Sequence, residues 1–284
     1  MLGETLAILT ALMWAASTVL SAEALKRVDP VRSNAIKTFF SALIMLPIAL
    51  AAGELSNLSH INLEALFLIV LAVLVGFGVG DTLLFKSIVL IGVSRAYTIA
   101  YTYPLFTMII AVLFLKEPFL LRYLIGTVLT VLSVIMISSE DNKNHGKVSL
   151  KGLMMALTAA LCWAIGTILV ALGLKGISVL LANTIRYPVL SFFLFLISRP
   201  RKKWRIAKKD LAFLSASGIL GMVLGGITFL FSVQFIGASR ATPLSASSPV
   251  WASIMSSISL KAVSYTHLRA HETRHDLVCR LLLE

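Results

Sequence analysis

Apolar residues fill long stretches of this chain, and short polar gaps separate one stretch from the next. Each stretch has about 20 residues or more, the length of α-helix that crosses a hydrocarbon core of roughly 30 Å. The pattern therefore predicts membrane-spanning helices, whose backbone groups are satisfied internally while lipid contacts their side chains. We predict nine such helices, near residues 4–24, 31–53, 64–90, 94–116, 119–138, 150–172, 178–198, 210–235 and 239–261.

The composition agrees with lipid as the main solvent, since 58% of the residues are hydrophobic and 13% are charged. The net charge of +12 does not indicate a nucleic-acid partner. The basic residues lie in the gaps between apolar stretches, where they set topology and contact anionic lipid head groups. We predict a multi-pass protein of the cytoplasmic membrane, and the basic cluster at 199–209 predicts that the N-terminus lies outside.

The chain repeats itself. Residues 91–96 read IGVSRA and residues 236–241 read IGASRA, an offset of 145 positions that also aligns Pro104 with Pro249. An offset of 149 positions aligns three further pairs: Trp14 with Trp163, Asn34 with Asn183 and Lys37 with Arg186. Repeats of this kind are common in transporters that alternate between two states.

These offsets give five helices per repeat, and an odd number inverts the second copy relative to the first. We predict an all-α, polytopic membrane protein with two inverted five-helix repeats. The first repeat covers 4–138, a loop covers 139–149, and the second repeat covers 150–262. The second repeat has only four predicted helices, and the expected tenth helix does not follow.

Residues 263–284 differ from the rest of the chain, and three of its five histidines lie there. This segment closely resembles the translation of a transposase-type sequencing adapter, and we expect it to be foreign to the protein. The repeat also predicts glutamate at Ala262, in the position of Glu117. The alternative is a metal-binding helix face. Its ligands would be His267, His271, His275 and Cys279.

Two related motifs connect the chain to a known family. Residues 103–119 read YPLFTMIIAVLFLKEPF, with Gly126 in the next helix, and residues 248–261 repeat the motif more weakly as SPVWASIMSSISLK. Over residues 4–262 the chain resembles the drug/metabolite transporter superfamily, specifically proteins with two EamA domains. The resemblance implies a ten-helix carrier that exports or exchanges small metabolites. It also implies that both termini are cytoplasmic, which conflicts with the charge distribution.

The expected function is secondary transport of a small metabolite, such as an amino acid, by alternating access. No Walker A sequence is present, so we do not expect this chain to hydrolyse ATP. An exporter of cationic drugs, or a lipid-linked carrier, is the alternative; it would need an acidic residue in the first helix, where Glu4 lies at the very end.

An integral-membrane enzyme is a second alternative, from a different class of protein. It would need a nucleophile with its base, or a metal site, and the histidines before the tail, His60 and His145, lie in predicted loops. We therefore predict no catalytic residues, no metal site and no cofactor. A small-molecule substrate and membrane lipid are the expected partners, and a homodimer stays open.

Asp81 is the sharpest candidate site residue because a charge within an apolar span costs on the order of 3 kcal/mol on insertion scales. One hypothesis is that Asp81 couples transport to a proton or cation. The alternative is a static ion pair, for which Lys37 on the second helix is a better partner than Lys86.

Lys37 and Arg186 each lie three residues after an asparagine, Asn34 and Asn183, so each cation shares a helix face with an amide. A cation with an amide suits a carboxylate-bearing substrate. The alternative is that both cations extend to the membrane interface.

Pro104 and Pro249 lie inside predicted helices, where each would remove a backbone donor and kink the helix. Aromatic residues with polar tips suit a mixed apolar and polar substrate site, although they are as often core residues. The aromatic candidates are Tyr97, Tyr101, Trp14 and Trp163.

Overall fold

The structure is a computed structural model that describes residues 1–25, 27–91, 93–139, 149–198 and 206–255. All regular secondary structure in these ranges is helical, which confirms the all-α class. The first part contains α1 Leu2–Leu25, α2 Pro30–Ala51, α3 Leu63–Ile91, α4 Val93–Ala100, α5 Tyr103–Phe114 and α6 Leu121–Ser139. The second part contains α7 Leu150–Gly173, α8 Val179–Ile197, α9 Lys208–Ile236 and α10 Ala238–Ser245, followed by a helical segment at 248–255.

Seven helical stretches in the described part of the chain are long and apolar enough to span a membrane, and Leu121–Ser133 of α6 forms a shorter apolar helix. They correspond to the first eight predicted spans. The predicted ninth span, 239–261, leaves the described residues after 255. The inner part of the connecting loop, Ala262 and the tail at 263–284 with its candidate metal ligands also lie outside the described residues.

The expectation that Pro104 and Pro249 kink continuous helices is wrong. Helix α4 stops at Ala100 and α5 begins at Tyr103, so Pro104 lies in the first turn of α5. Likewise α10 stops at Ser245 and helix resumes at 248. A first turn accommodates proline without loss, because its backbone N–H has no intrahelical partner there. The break at 101–102 and the break at 246–247 are related by the 145-residue offset.

Helices α3 and α9 each contain a π-helical segment at equivalent positions. Leu74–Gly80 forms this segment in α3, and Ile219–Leu224 forms it in α9. A π-segment widens the helix by one residue and occurs frequently at functional sites. In α3 the segment ends at Gly80, immediately before Asp81.

The two repeats pack into one body. The largest buried apolar cluster contains Ile69 of α3, Ile168 of α7, Leu181 of α8 and Leu230 of α9. A polar joint supplements this core, where the Glu117 carboxylate accepts hydrogen bonds from the backbone N–H groups of Ala238 at 2.8 Å and Ser239 at 2.9 Å, and from the Ser239 hydroxyl. Glu117 thereby caps the N-terminus of α10, where an anion is favoured. Glu117 of the first repeat thus stabilises the start of α10 in the second repeat.

Candidate site: an inter-repeat cavity

A cavity of about 280 Å³ lies between the two repeats. Both repeats line it, and its wall is mostly apolar, with polar groups at a few positions. Eight of the sequence-predicted site residues line this cavity: Trp14, Asn34, Lys37, Asp81, Tyr97, Tyr101, Trp163 and Arg186. Asn183, Pro104 and Pro249 are not among its lining residues.

Asp81 is held by two neutral donors. Its Oδ1 accepts a hydrogen bond from Trp163 Nε1 at 2.8 Å, and its Oδ2 accepts one from Asn34 Nδ2 at 3.1 Å. Among the described residues Asp81 forms no ion pair, although Lys37 lines the same cavity. The static ion pair with Lys37 is therefore absent from this conformation, in which the carboxylate joins α2, α3 and α7.

Glycine allows Trp163 to reach Asp81. A Cβ atom on Gly80 would lie 2.9 Å from Trp163 Cδ1, which is too close for any side chain there. The equivalent glycine of the second repeat, Gly225, stands in the same relation to Trp14, with 2.8 Å to its Cδ1. The partners of the two indoles differ, however, because Trp14 Nε1 donates to the backbone carbonyl of Gly221 at 3.0 Å rather than to a carboxylate.

An aromatic wall surrounds the Asp81 side of the cavity. The Trp163 ring lies 6.1 Å from the Tyr101 ring and 5.5 Å from the Tyr103 ring, both edge-on. Tyr97 lies 5.9 Å from Tyr101, and the Tyr101 hydroxyl contacts the Ser248 hydroxyl at 3.3 Å. These aromatic pairs stabilise the wall and keep its rings in fixed positions. Tyr103 also lines the cavity. Its position directly before Pro104 is the sequence feature that could have marked it as a site residue.

Arg186 is buried, so it does not extend to the membrane interface as the alternative interpretation proposed. Its side chain is 5% exposed, and its guanidinium lies 5.6 Å above the Phe77 ring. Arg186 Nη1 donates to Asn183 Oδ1 at 3.2 Å, which is the cation–amide pair expected from their spacing. Arg186 Nε and Asn183 Nδ2 are buried and have no hydrogen-bond partner among the described residues.

Tyr187 and Met222 are site residues that the sequence reasoning missed. The Tyr187 hydroxyl donates a hydrogen bond to the backbone carbonyl of Met222, which lies in the π-segment of α9. Both residues line the cavity. The only sequence signal for Tyr187 was its place directly after Arg186.

Comparison with known proteins decides the family. The sequence profile of the EamA-like transporter family matches residues 1–139 and residues 150–264, once in each repeat. The chain belongs to the EamA-like transporter family. The resemblance seen in the motifs at 103–119 and 248–261 is thereby confirmed, and the EamA-family chain is a multi-pass membrane transporter.

Two individual proteins are similar over nearly the full length. An uncharacterized transporter from Archaeoglobus fulgidus is 27% identical over 264 residues, which cover 92% of this chain and 90% of the relative. A protein of known crystal structure shares the fold with a TM-score of 0.70 at 16% identity, covering 90% of this chain and 88% of that protein. At that identity the second comparison concerns the fold alone.

Proposed function

We propose that this EamA-family chain is a secondary transporter that moves a small organic solute across the cytoplasmic membrane by alternating access, as an exporter or exchanger. The observation that carries the proposal is the inter-repeat cavity, whose mostly apolar wall presents one carboxylate, Asp81, and two cations, Lys37 and Arg186. A largely apolar cavity with a few convergent polar groups is the usual form of a small-molecule site.

The helix irregularities support an alternating mechanism. The π-segments of α3 and α9 and the breaks at 101–102 and 246–247 occur in pairs, one in each repeat. Interrupted helices at corresponding positions of two repeats are typical of transporter binding sites, and interruptions can absorb the change in backbone angle as one repeat rocks against the other.

Asp81 is the proposed coupling group. As a carboxylate it accepts hydrogen bonds from both Trp163 and Asn34, and protonation would turn one of these oxygens into a hydroxyl, which is a donor and a weaker acceptor. Because Trp163 belongs to the second repeat and Asn34 to the first, a proton on Asp81 would alter a contact between the repeats. The proposed cycle thus links proton occupancy to the relative position of α2, α3 and α7.

The test is solute flux in proteoliposomes that contain the full chain. We would impose a pH gradient and offer radiolabelled amino acids and other small metabolites. At least one solute should accumulate above the level of empty liposomes, and Asp81→Asn should abolish gradient-driven accumulation. Asp29→Asn is the matched control, since Asp29 is an exposed cap of α2 and asparagine caps equally well. Gradient-driven accumulation by Asp81→Asn would refute coupling, and the absence of any flux would refute transport.

A second candidate function is export of an organic cation. The arrangement of Tyr97, Tyr101, Tyr103 and Trp163 around Asp81 favours it, because aromatic faces and a carboxylate both attract cations. The same proteoliposomes separate the two functions. Flux of tetraethylammonium, without flux of any solute that carries a carboxylate, would favour the cation exporter.

A further inference from the structure

The internal duplication shows a group that the second repeat lacks. At the 145-residue offset Asp81 corresponds to Gly226, and at the 149-residue offset Asn34 corresponds to Asn183. In the first repeat the amide of Asn34 donates to the Asp81 carboxylate at 3.1 Å. In the second repeat the corresponding amide faces a residue without a side chain.

The donors that such a carboxylate would satisfy are present and unpaired. Asn183 is 0% exposed and its Nδ2 has no partner among the described residues, and the same is true of Nε of Arg186, which is 5% exposed. A Cβ atom on Gly226 would lie 3.8 Å from Asn183 Nδ2, so the position that corresponds to Asp81 is adjacent to this amide. A buried donor without an acceptor is costly, and each such group calls for an explanation.

The protein cannot supply the acceptor from position 226 itself. A Cβ atom there would overlap the Tyr187 hydroxyl, which donates to the carbonyl of Met222. The position must therefore be glycine while Tyr187 keeps this hydrogen bond. Gly226 and Arg186 both line the cavity, so a ligand within the cavity can reach them when the Tyr187 hydroxyl moves away from Gly226.

We propose that a carboxylate of the transported solute binds beside Gly226, accepting hydrogen bonds from Arg186 and Asn183 as Asp81 accepts one from Asn34. The proposal rests on the proposed transport function and names the substrate class as carboxylate-bearing organic solutes. A guanidinium and an amide together match the planar oxygens of a carboxylate, and the bonds to the guanidinium are charge-assisted. Both unpaired nitrogens are closed to water in this conformation, so a small shift of Tyr187 accompanies binding.

Charge balance within the cavity supports the same solute class. Its charged lining residues are Lys37, Arg186 and Asp81, two cations and one anion when Asp81 is ionised. A bound monocarboxylate would neutralise the remaining positive charge. The Asp81 carboxylate does not already do so for Arg186, because the described residues show no ion pair between them.

The test uses matched pairs of probes that differ only in the carboxylate. The purified full chain would be titrated with L-phenylalanine and L-phenylalaninamide, with L-leucine and L-leucinamide, and with 3-phenylpropionate and its amide. The quench of tryptophan fluorescence reports binding, since Trp14 and Trp163 line the cavity. We expect at least one acid to bind about tenfold tighter than its amide, the discrimination of one charge-assisted contact.

Three variants locate the contact. Arg186→Gln should reduce the acid-to-amide ratio to about one, since an amide side chain no longer distinguishes the charge. Asn183→Asp, which is nearly isosteric and places a permanent carboxylate beside Arg186, should have the same effect if Arg186→Gln fails to fold. Lys151→Gln removes an exposed cation of α7 that does not line the cavity, so this control should preserve the ratio.

Each outcome is decisive. Equal binding of every acid and its amide, binding of none of these acids, or an unchanged ratio in Arg186→Gln would overturn the proposed site. Flux of the same compounds in proteoliposomes separates this result from the function. Acid-selective binding without flux would support the site and refute transport, whereas equal flux of acid and amide would support transport and refute the site.

Discussion

Helix α1 meets α9 across a row of hydroxyl groups, whereas α7 meets α3 at equivalent positions across glycine and alanine. On the α1–α9 side, the Ser17 hydroxyl donates to the Ser217 carbonyl at 2.9 Å, and the Ser217 hydroxyl donates to the Ser17 carbonyl at 2.9 Å. Ser21 adds a hydroxyl contact to Ser217 at 2.6 Å. Nearer the helix ends, Arg27 Nη2 contacts the buried Asp210 carboxylate at 2.6 Å. This contact surface is polar and directional.

The α3–α7 surface contains small apolar residues instead. Gly166 takes the place of Ser17 and Ala72 takes the place of Ser217. A Cβ atom on Gly166 would lie 2.9 Å from Gly76 Cα and 3.0 Å from the Ala72 carbonyl, so the two backbones nearly touch. Close approach of small residues holds membrane helices by van der Waals packing. The hydrogen bonds that join α3 to α7, from Trp163 to Asp81 and from Ser87 to the Gly152 carbonyl, lie away from this glycine contact.

The difference teaches that the duplication preserved the backbone register and not the side-chain chemistry. Hydrogen bonds in a membrane interior are worth about 0.6 kcal/mol on average and require particular partners. Glycine contacts require closeness and tolerate displacement along the interface. We therefore expect a local displacement to cost less at the contact of Gly166 with Ala72 and Gly76 than at the contact of Ser17 with Ser217.

The largest effect should follow from a bulky side chain on the α3–α7 surface. Gly166→Val would place its Cβ against backbone atoms of Gly76 and Ala72, which cannot move aside as a flexible side chain would. We expect destabilisation of about 1–3 kcal/mol, the usual cost of overpacking, measured as a lower thermal unfolding midpoint in detergent. Gly126→Val is the matched control, since nothing lies within 4 Å of a Cβ on Gly126. Equal midpoints for the two variants would show that the α3–α7 surface is not closely packed.

The close approach at Gly166 illustrates what sequence could and could not provide. Apolar stretches of about 20 residues predicted the spans, because the thickness of the hydrocarbon core fixes the length of helix that crosses it. The offset of 149 identified Asn34 and Trp163, and the cost of a charge within an apolar stretch identified Asp81, each residue separately. Their contact was not predictable, because the residues lie on three helices and nothing local in a sequence records which helices touch.

Two other features, the π-segments and the helix start at Pro104, could not be predicted from the local sequence pattern. The π-segments at Leu74–Gly80 and Ile219–Leu224 lie in continuous apolar stretches, and a one-residue widening leaves hydrophobic periodicity almost unchanged. For Pro104, a kinked helix and a fresh helix start have the same sequence pattern, because proline fits both arrangements. The cap that Glu117 provides to α10 depends on a contact between repeats and was likewise missed.

A smaller effect should follow from removing the central hydroxyl of the polar surface. Ser217→Ala eliminates the contacts of that hydroxyl with Ser17 and Ser21 and leaves their polar atoms with fewer partners. We expect a loss of about 1 kcal/mol in unfolding free energy, measured by chemical denaturation in mixed micelles. Ser215→Ala changes a half-buried serine whose hydroxyl donates to the Ala212 carbonyl within the same helix, and it should change the free energy by less than half as much. A Ser217→Ala variant as stable as Ser215→Ala would mean that the row of hydroxyls does not stabilise the α1–α9 surface.

The smallest effect concerns the position where the two surfaces still agree. Ser232 donates to the Gly3 carbonyl at 2.8 Å on one side, and its counterpart Ser87 donates to the Gly152 carbonyl at 2.8 Å on the other. Both serines are 0% exposed, so their surroundings are comparable. Ser87→Ala and Ser232→Ala should each cost about 0.6 kcal/mol in the same denaturation assay. The costs should add in the double variant, because the two serines lie on different helices and bond to different partners. If one variant were clearly more costly than the other, the repeats would differ in rigidity even where their hydrogen bonds are the same, and the asymmetry of the two surfaces could not be assigned to side-chain chemistry alone.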